Sequence, residues 1–480
     1  MFDSLREFIA RADELGECRV IKGADWNMEI SRITELSGSR PNQPMLVFDE
    51  IKGYPPGYRV ATNFLNTYKL FALAHDLPIA AQGVQLIRAW REKMKGGFEP
   101  VPPKQVATGP VAKNVYTGKD IDLWKFPTPK WHELDGGRYI GTGDMVILKD
   151  PDEGWVNLGT YRVMVHDKTT ANIHISAGRH GDAIRNKYWN RGKSCPAAVV
   201  CGGEPALWGV STSSAAPVGA SEYDYTGWLR GRPVEVIRGK TVDLPIPATA
   251  EIILEGEMGP PGVDDRPEGP FGENQGYYTG GSRPESVFRV SCVMHRDDPI
   301  LLGAPPLVMD YDLDWGWYLG RIVGLWNELD RQVPNVQGVW IYSEARTAFT
   351  VVSIRQAYDG HAAETAMAVA GTYAGTYRSR FTIIVDEDID PSSISQVLWA
   401  LGTRCDPSQH IDVIRGFRAI FSDAIVSPEQ RRVGDYTTSK AIIYACRPYH
   451  WRKQFPVSVK SSSEALAETQ RKWGKILFKE

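Results

Sequence analysis

From about residue 111 to 310 the sequence is a succession of short runs rich in β-branched and aromatic residues, each closed by Gly, Pro or Asp. "WVNLGTYRVMVH", "TANIHISA", "PAAVVCGG", "VEVIRG", "AEIILEGEM" and "SVFRVSCVMH" are the clearest of them. Short runs with such punctuation read as strands, and their repetition predicts a barrel or a sandwich. The flanks have another texture. Residues 1–110 begin with Phe2, Leu5, Phe8, Ile9, Ala12 and Leu15 at helical spacing, with Asp3 near the start and Gly16 as a stop. "MLVFDEI" then reads as a strand and "VQLIRAWREKM" as a helix, an α/β arrangement. Beyond residue 318, "VWIYSEARTAFTVVSI" and "FTIIVDED" read as strands, and "AAETAMAVAGTYAG" and "SSISQVLWALGTR" as helices. This predicts an α+β unit. The expected domains are therefore 1–110, 111–318 and 319–480, as a chain of 480 residues requires more than one core. The tail predicts a helix with Ser461 and Glu464 in capping-box spacing. Its stripe of Leu466, Trp473 and Leu477 suits packing on a partner subunit or on its own domain.

Charge and composition exclude several classes. A net charge of −3 without a clustered basic face gives no basis for nucleic-acid binding. No apolar run approaches the roughly 20 residues that span a bilayer, and the acidic, amphipathic N-terminus is not a secretory signal. Six cysteines without a C-x-x-C pair argue against a disulfide framework or structural zinc, and fit a reducing cytoplasm. Gly141-Thr142-Gly143 begins a G-x-G, but Val146 stands where the third glycine belongs, so a turn is expected. P-loop, zinc-protease and nucleophile-elbow motifs are absent from the sequence.

The chemistry concentrates in a few segments. "RPEGPFGENQGYYTGG" carries Glu268 and Glu273 around Gly269, Pro270 and Gly272, a frame that can turn both acids inward. Neighbouring carboxylates do not both ionise cheaply, so one is expected to keep its proton near neutral pH. In "NLGTYRVMVHD", Asn157 and Arg162 are five apart and on a regular strand would face opposite ways; Gly159 can supply a bulge that brings them together. Arginine is well shaped to grip a carboxylate by two hydrogen bonds. "ISAGRHGDA" adds Arg179 and His180, and "VSTSSAAPVGASEYDY" adds Ser211 to Ser214 and Glu222. Small hydroxyl residues can donate to a phosphate. The amide, imidazole and carboxylate of Asn157, His180 and Glu222 make a mixed O/N set suited to Mn²⁺ or Mg²⁺. The carboxylate pair alone leaves open a metal-dependent hydrolase or glycosidase without a flavin.

Together these segments resemble the UbiD-like reversible decarboxylases, which use prenylated flavin mononucleotide. The resemblance runs through "NLGTYRVMV", "GRHGDA", "VGASEYDYTGWLRGRPVEV", "EIILEG", "EGPFGENQGYYTGG" and "IIVDEDIDPSSISQVLWALGTRCDP", and E-G-P-F-G-E is its most specific part. It implies a central split β-barrel of flavin-reductase type between an N-terminal α/β domain and a C-terminal α+β domain. It implies a divalent metal on Asn157, His180 and Glu222 bridging the flavin phosphate, with K⁺ contacted by the loop of Ser211 to Ser214, where Ser213 and Ser214 also meet the cofactor. Flavin contacts are implied for Gly159, Thr160, Tyr161, Arg162 and Arg179, and a Glu–Arg–Glu network for Glu268, Arg162 and Glu273. Glu273 stands where the family's acid protonates the product carbon. Arg355 replaces a lysine that meets the phosphate in relatives, and "LLGAPPLVMDYDLDWGWYL" lacks the histidine associated with hydroxybenzoate decarboxylation. The implied function is non-oxidative, reversible decarboxylation of an aromatic, heteroaromatic or α,β-unsaturated acid, or of an aromatic acyl-CoA with a free carboxylate. CO₂ is the co-product, a flavin prenyltransferase supplies the cofactor, and the chain assembles as a homodimer or homohexamer. A non-catalytic subunit of a multi-component carboxylase is the alternative within the family.

Overall fold

A computed structural model describes residues 1–480 except 214, 215, 218, 309–314, 377, 479 and 480, and gives no side chains for 315–318 and 463. It is a mixed α/β structure of several sheets around a curled central one. The first helix, Leu5–Glu14, starts at Ser4, whose hydroxyl accepts from the Glu7 N–H; Phe8 and Ala12 on its inner stripe are fully buried. It packs over a four-stranded sheet in the order Cys18–Lys22, Met45–Asp49, Arg59–Thr62 and Ile300–Leu302. The last of these comes from the end of the β-rich middle and pairs parallel to Arg59–Thr62. A strand from one expected domain thus completes the sheet of another.

The central sheet runs Arg138–Gly141, Arg162–Val165, Thr170–His174, Arg283–His295, Ile252–Met258, Cys195–Cys201, Asp144–Lys149 and Val156–Gly159. Its topology forces it to curl. Arg138–Gly141 at one end continues through Thr142 and Gly143 into Asp144–Lys149 near the other, and Val156–Gly159 returns through Thr160 and Tyr161 to Arg162–Val165. Three peptide links span at most about 11 Å, so the two ends of the sheet lie close together although no ladder joins them. This is the split barrel. Alternate residues of Asp144–Lys149 serve opposite cores: Met145 and Ile147 join one cluster, Val146 and Leu148 another. Burial on both faces explains why these strands read as near-continuous apolar runs.

The C-terminal part is a five-stranded mixed sheet, ordered Val336–Tyr342, Phe349–Ile354, Phe381–Asp386, Thr437–Ala445 and Ile411–Arg418. The terminal helix spans Ser463–Leu477. Its cap is Ser462, whose hydroxyl accepts from Ala465, rather than Ser461; three consecutive serines offer the backbone a choice, and no acid then stands at the third position.

Candidate active site

Asn157 and Arg162 do meet the same gap, but not through a bulge at Gly159. They stand on the two strands that border the split, and Thr160–Tyr161 crosses it. Gly159 has another reason to lack a side chain: a Cβ there would lie 2.6 Å from the Tyr161 hydroxyl, and one at Gly181 would lie 2.7 Å from it. The Tyr161 ring therefore rests between two glycines, with its hydroxyl accepting from the Gly181 N–H at 3.2 Å.

Arg162 is the centre of the acid pair. Its Nε and Nη2 donate to the two oxygens of Glu268, each at 2.7 Å, and Nη1 donates to Glu273 at 3.2 Å. Glu268 ends the short strand Asp265–Glu268 and is fully buried. Burial alone would raise its carboxyl, but the bonds and charge of Arg162 overcome this and hold it below its ordinary value. The arginine between the acids removes the direct repulsion expected from their proximity in sequence, and Glu268 does not keep the proton. Tyr139 adds a hydroxyl bond to Glu268 at 3.2 Å, and the Phe271 ring lies 5.4 Å from the guanidinium carbon.

Register places the layer behind. Arg162 is paired with His174, and Glu268 with Arg283. His174 Nδ1 lies 2.9 Å from Glu285, which also takes Arg185 at 3.3 Å, and Arg185 bonds Asp182. Burial, with the charges of Arg162 and Arg283, lowers the His174 pKa against the pull of Glu285.

Residues 269–282 form the loop closed by the Glu268–Arg283 pair. Gly269 adopts φ +77°, a left-handed conformation that a side chain would strain. Gly136 donates to Pro270 at 2.8 Å, and Tyr278 to the buried Asp135 at 2.9 Å. Glu273 is fixed within the loop, its N–H bonded to Tyr277 and its carbonyl to Gly276.

The expected metal ligands are brought together in part. Asn157 Nδ2 donates to Glu222 at 3.0 Å, and the Leu158 N–H donates to its other oxygen at 2.7 Å. Burial pushes the Glu222 carboxyl up to about 7 despite those bonds. His180 is exposed at the start of helix His180–Trp189 and meets the Trp155 ring edge-on at 5.1 Å. Among the described residues no hydrogen bond ties it to Asn157 or Glu222. Asn157 Oδ1, Thr160 Oγ1, Trp155 Nε1 and both oxygens of Asp144 are buried without a partner. All lie on or beside the strands and the crossing at the split. Buried polar atoms normally find partners, so this donor and acceptor set fits a polar group and an oxygen-seeking cation.

Other expected residues are less engaged. Arg179 precedes the His180 helix as its cap residue. The hydroxyls of Ser211 and Ser213 bond back to Leu207 and Val210, and Ser214 lies outside the described residues. Arg355 is exposed beyond Phe349–Ile354 and bonds Asn335 at 3.4 Å. Tyr139, Phe271 and Asp135 escape a reading of the sequence. Phe271 lies inside the E-G-P-F-G-E signature, whereas Tyr139 reaches Glu268 across 129 residues with no local mark.

A curled split sheet with a buried Arg–Glu pair at its opening and a polar cradle beside it defines a cofactor-using enzyme that handles carboxylates. The chain belongs to the UbiD carboxy-lyase family: residues 9–90, 104–307 and 315–445 match the N-terminal, Rift-related and C-terminal domains of 3-octaprenyl-4-hydroxybenzoate carboxy-lyase. It is 34% identical to the pyrrole-2-carboxylic acid decarboxylase of Pseudomonas aeruginosa over 80% of this chain and 79% of that protein. The vanillic acid decarboxylase of Sedimentibacter hydroxybenzoicus, in its open form, superposes with a TM-score of 0.86 at 27% identity, covering 100% of this chain and 99% of that one. HmfF of Pelotomaculum thermopropionicum, solved in complex with FMN, gives 0.84 at 26% identity over 97% and 99%. The chain is thus a carboxy-lyase, which displaces both the hydrolase drawn from the acid pair alone and the non-catalytic subunit. No described helix is long and apolar enough to cross a membrane.

Proposed function

We propose that this protein removes CO₂ reversibly and without net oxidation from an aromatic or heteroaromatic carboxylic acid, using prenylated FMN. The carrying observation is the geometry of Arg162. A guanidinium has five N–H donors, and Glu268 and Glu273 occupy three of them. Glu268 binds along the Nε–Nη2 side, so one N–H on each Nη remains, a fork that suits a substrate carboxylate. When bound, the flavin supplies the electron sink that amino-acid side chains lack. Arg162 orients the carboxylate, and Glu268 with Tyr139 keeps the guanidinium in place. As the carbon–carboxylate bond breaks and CO₂ leaves, Glu273 delivers the proton that replaces it; in carboxylation Glu273 takes that proton back.

Asn157 and Glu222 would hold a divalent cation, Mn²⁺ or Mg²⁺, with His180 as third ligand, and Gly159, Thr160, Tyr161 and Arg179 would border the flavin. K⁺ near Ser211 to Ser214 and a phosphate contact at Arg355 belong to the same reading. A flavin prenyltransferase would supply the cofactor. The complex of HmfF with prFMN, 25% identical over 97% of this chain, supports that choice of flavin.

The test is release of labelled CO₂ from a panel of aromatic acids by protein coexpressed with a flavin prenyltransferase. Glu273→Gln should keep its flavin absorbance and lose about 100-fold or more in rate, the scale of a lost general acid. Normal turnover in that variant would refute the assignment.

A further inference from the structure

Arg283 closes the loop that carries Glu273, because its register with Glu268 brings residues 269–282 back to the sheet. Among the described residues its guanidinium is bonded to one side chain, the imidazole of His174. Nη2 of Arg283 lies 2.6 Å from Nε2 of that ring and 3.0 Å from Nδ1, and Nδ1 also stands 2.9 Å from the Glu285 carboxylate. These partners fix the tautomer. An ionised carboxylate only accepts and a guanidinium only donates, so Nδ1 carries the proton for Glu285 and Nε2 is the bare acceptor for Arg283. His174 is 7% exposed, so solvent competes little for either nitrogen. The charged groups that face the ring are Arg162 from Arg162–Val165, Glu268 from Asp265–Glu268, and Arg283 and Glu285 from Arg283–His295. Beyond Glu285 stand Arg185 and Asp182 of helix His180–Trp189, while Arg266 turns away to Asp167. A second proton on the ring would set N–H against N–H at Arg283 and add a third positive charge beside Arg162 and Arg283.

We propose that His174 is a positioning residue: as a neutral imidazole it clasps Arg283 and so holds the base of the loop that carries Glu273, and a proton arriving at Nε2 opens the clasp. What the loop delivers, the proton that replaces CO₂, rests on the decarboxylase reading; the clasp itself does not. Burial, together with the charges of Arg162 and Arg283, holds the His174 pKa below its ordinary value of 6.5. With the clasp open the ring returns toward that value, so the open form takes up the proton more readily and acid favours it. The clasp is at full strength above pH 6.5 and weakens as pH falls below it.

Hydrogen exchange of the flavin-loaded protein, read by mass spectrometry over residues 269–282 at about pH 7.5 and about pH 5.5 and corrected for intrinsic rates, tests this. Wild-type protection should fall several-fold between the two, with a ceiling of about ten-fold for one pH unit below the ordinary histidine value. His174→Gln, whose amide can donate to Glu285 and accept from Arg283 without titrating, should lose that pH response. His174→Phe keeps a ring and deletes both bonds, so its loop should be poorly protected at both values. Its kcat for CO₂ release should fall about ten-fold or more, with KM held within about twofold, because the loop carries the proton donor and not the grip of Arg162. Wild-type protection that does not change with pH, a response that persists in His174→Gln, or a folded His174→Phe with the protection or kcat of the wild type would each overturn the proposal. The first two decide it where His174→Phe does not fold. Loop behaviour as expected in a protein that releases CO₂ from none of the acids would sink the decarboxylase reading and leave the clasp standing.

Discussion

Glu268 and Glu273 share one arginine, yet their surroundings differ. The Glu268 side chain is 0% exposed with two bonds at 2.7 Å, and that of Glu273 is 19% exposed with one at 3.2 Å. Removing one partner of a buried ion pair costs about 3–5 kcal/mol because the other charge is stranded. Glu268→Gln should therefore lower unfolding free energy by about 3 kcal/mol, and Glu273→Gln by under about 1 kcal/mol, in urea melts. Equal losses would mean that Glu268 is not the anchor. Asp144 offers a separate check. It is fully buried, neither oxygen has a partner, and burial holds its carboxyl well above the ordinary value of 3.8. The folded state then keeps this proton to higher pH than the unfolded chain does. Stability accordingly falls as pH climbs above about 4, toward the raised folded value. Asp144→Asn should remove that decline, so the gap in Tm between variant and wild type should widen from pH 5 to pH 8. A constant gap would show that the residue does not titrate differently on folding.

At the level of elements, the loop at residues 269–282 is positioned by neighbours that never touch substrate in the proposed mechanism. A Cβ on Gly136 would stand 2.0 Å from the Gly269 carbonyl oxygen, a backbone atom that cannot rotate away. Gly136→Ala should therefore shift the loop that carries Glu273. Misplacement of a reacting group by about 1 Å can cost 100-fold, so kcat should fall by about that factor while flavin content holds, as read by CO₂ release against flavin absorbance. An unchanged kcat would mean that the loop adjusts freely. Much of this element was legible beforehand: the Gly-Pro-Phe-Gly frame ruled out regular structure and marked both acids. What could not be read was that Glu268 ends a strand, because the pairing with Arg283 arises across the whole loop.

On the scale of the molecule, helix Ser463–Leu477 is exposed along nearly its whole length, with Leu466, Trp473, Ile476 and Leu477 uncovered. Glu464 and Glu468 lie in its first half, Arg471, Lys472 and Lys475 in its second. Two copies side by side and antiparallel would bring acids against bases and cover the apolar stripe. If that pairing forms, the full chain should sediment as a homo-oligomer, and deleting residues 461–480 should leave the Tm of the remaining chain almost unchanged while shifting sedimentation velocity toward the monomer. An assembly indifferent to the deletion would remove this helix from the interface.

The sequence by itself determined what is local: the punctuated β-branched runs that became the curled sheet, the helix at Leu5–Glu14, the irregular loop that holds Glu273, and the signature segments that identify the family. Tertiary structure decided how these meet. Asn157 and Arg162 come to one gap because the two ends of a long sheet close on each other, and not because of a bulge at Gly159. Tyr139 finds Glu268 by a side-chain bond across 129 residues, between strands that are not neighbours in the sheets. Periodicity fixes which face a side chain takes; only the pairing of distant strands fixes what that face confronts.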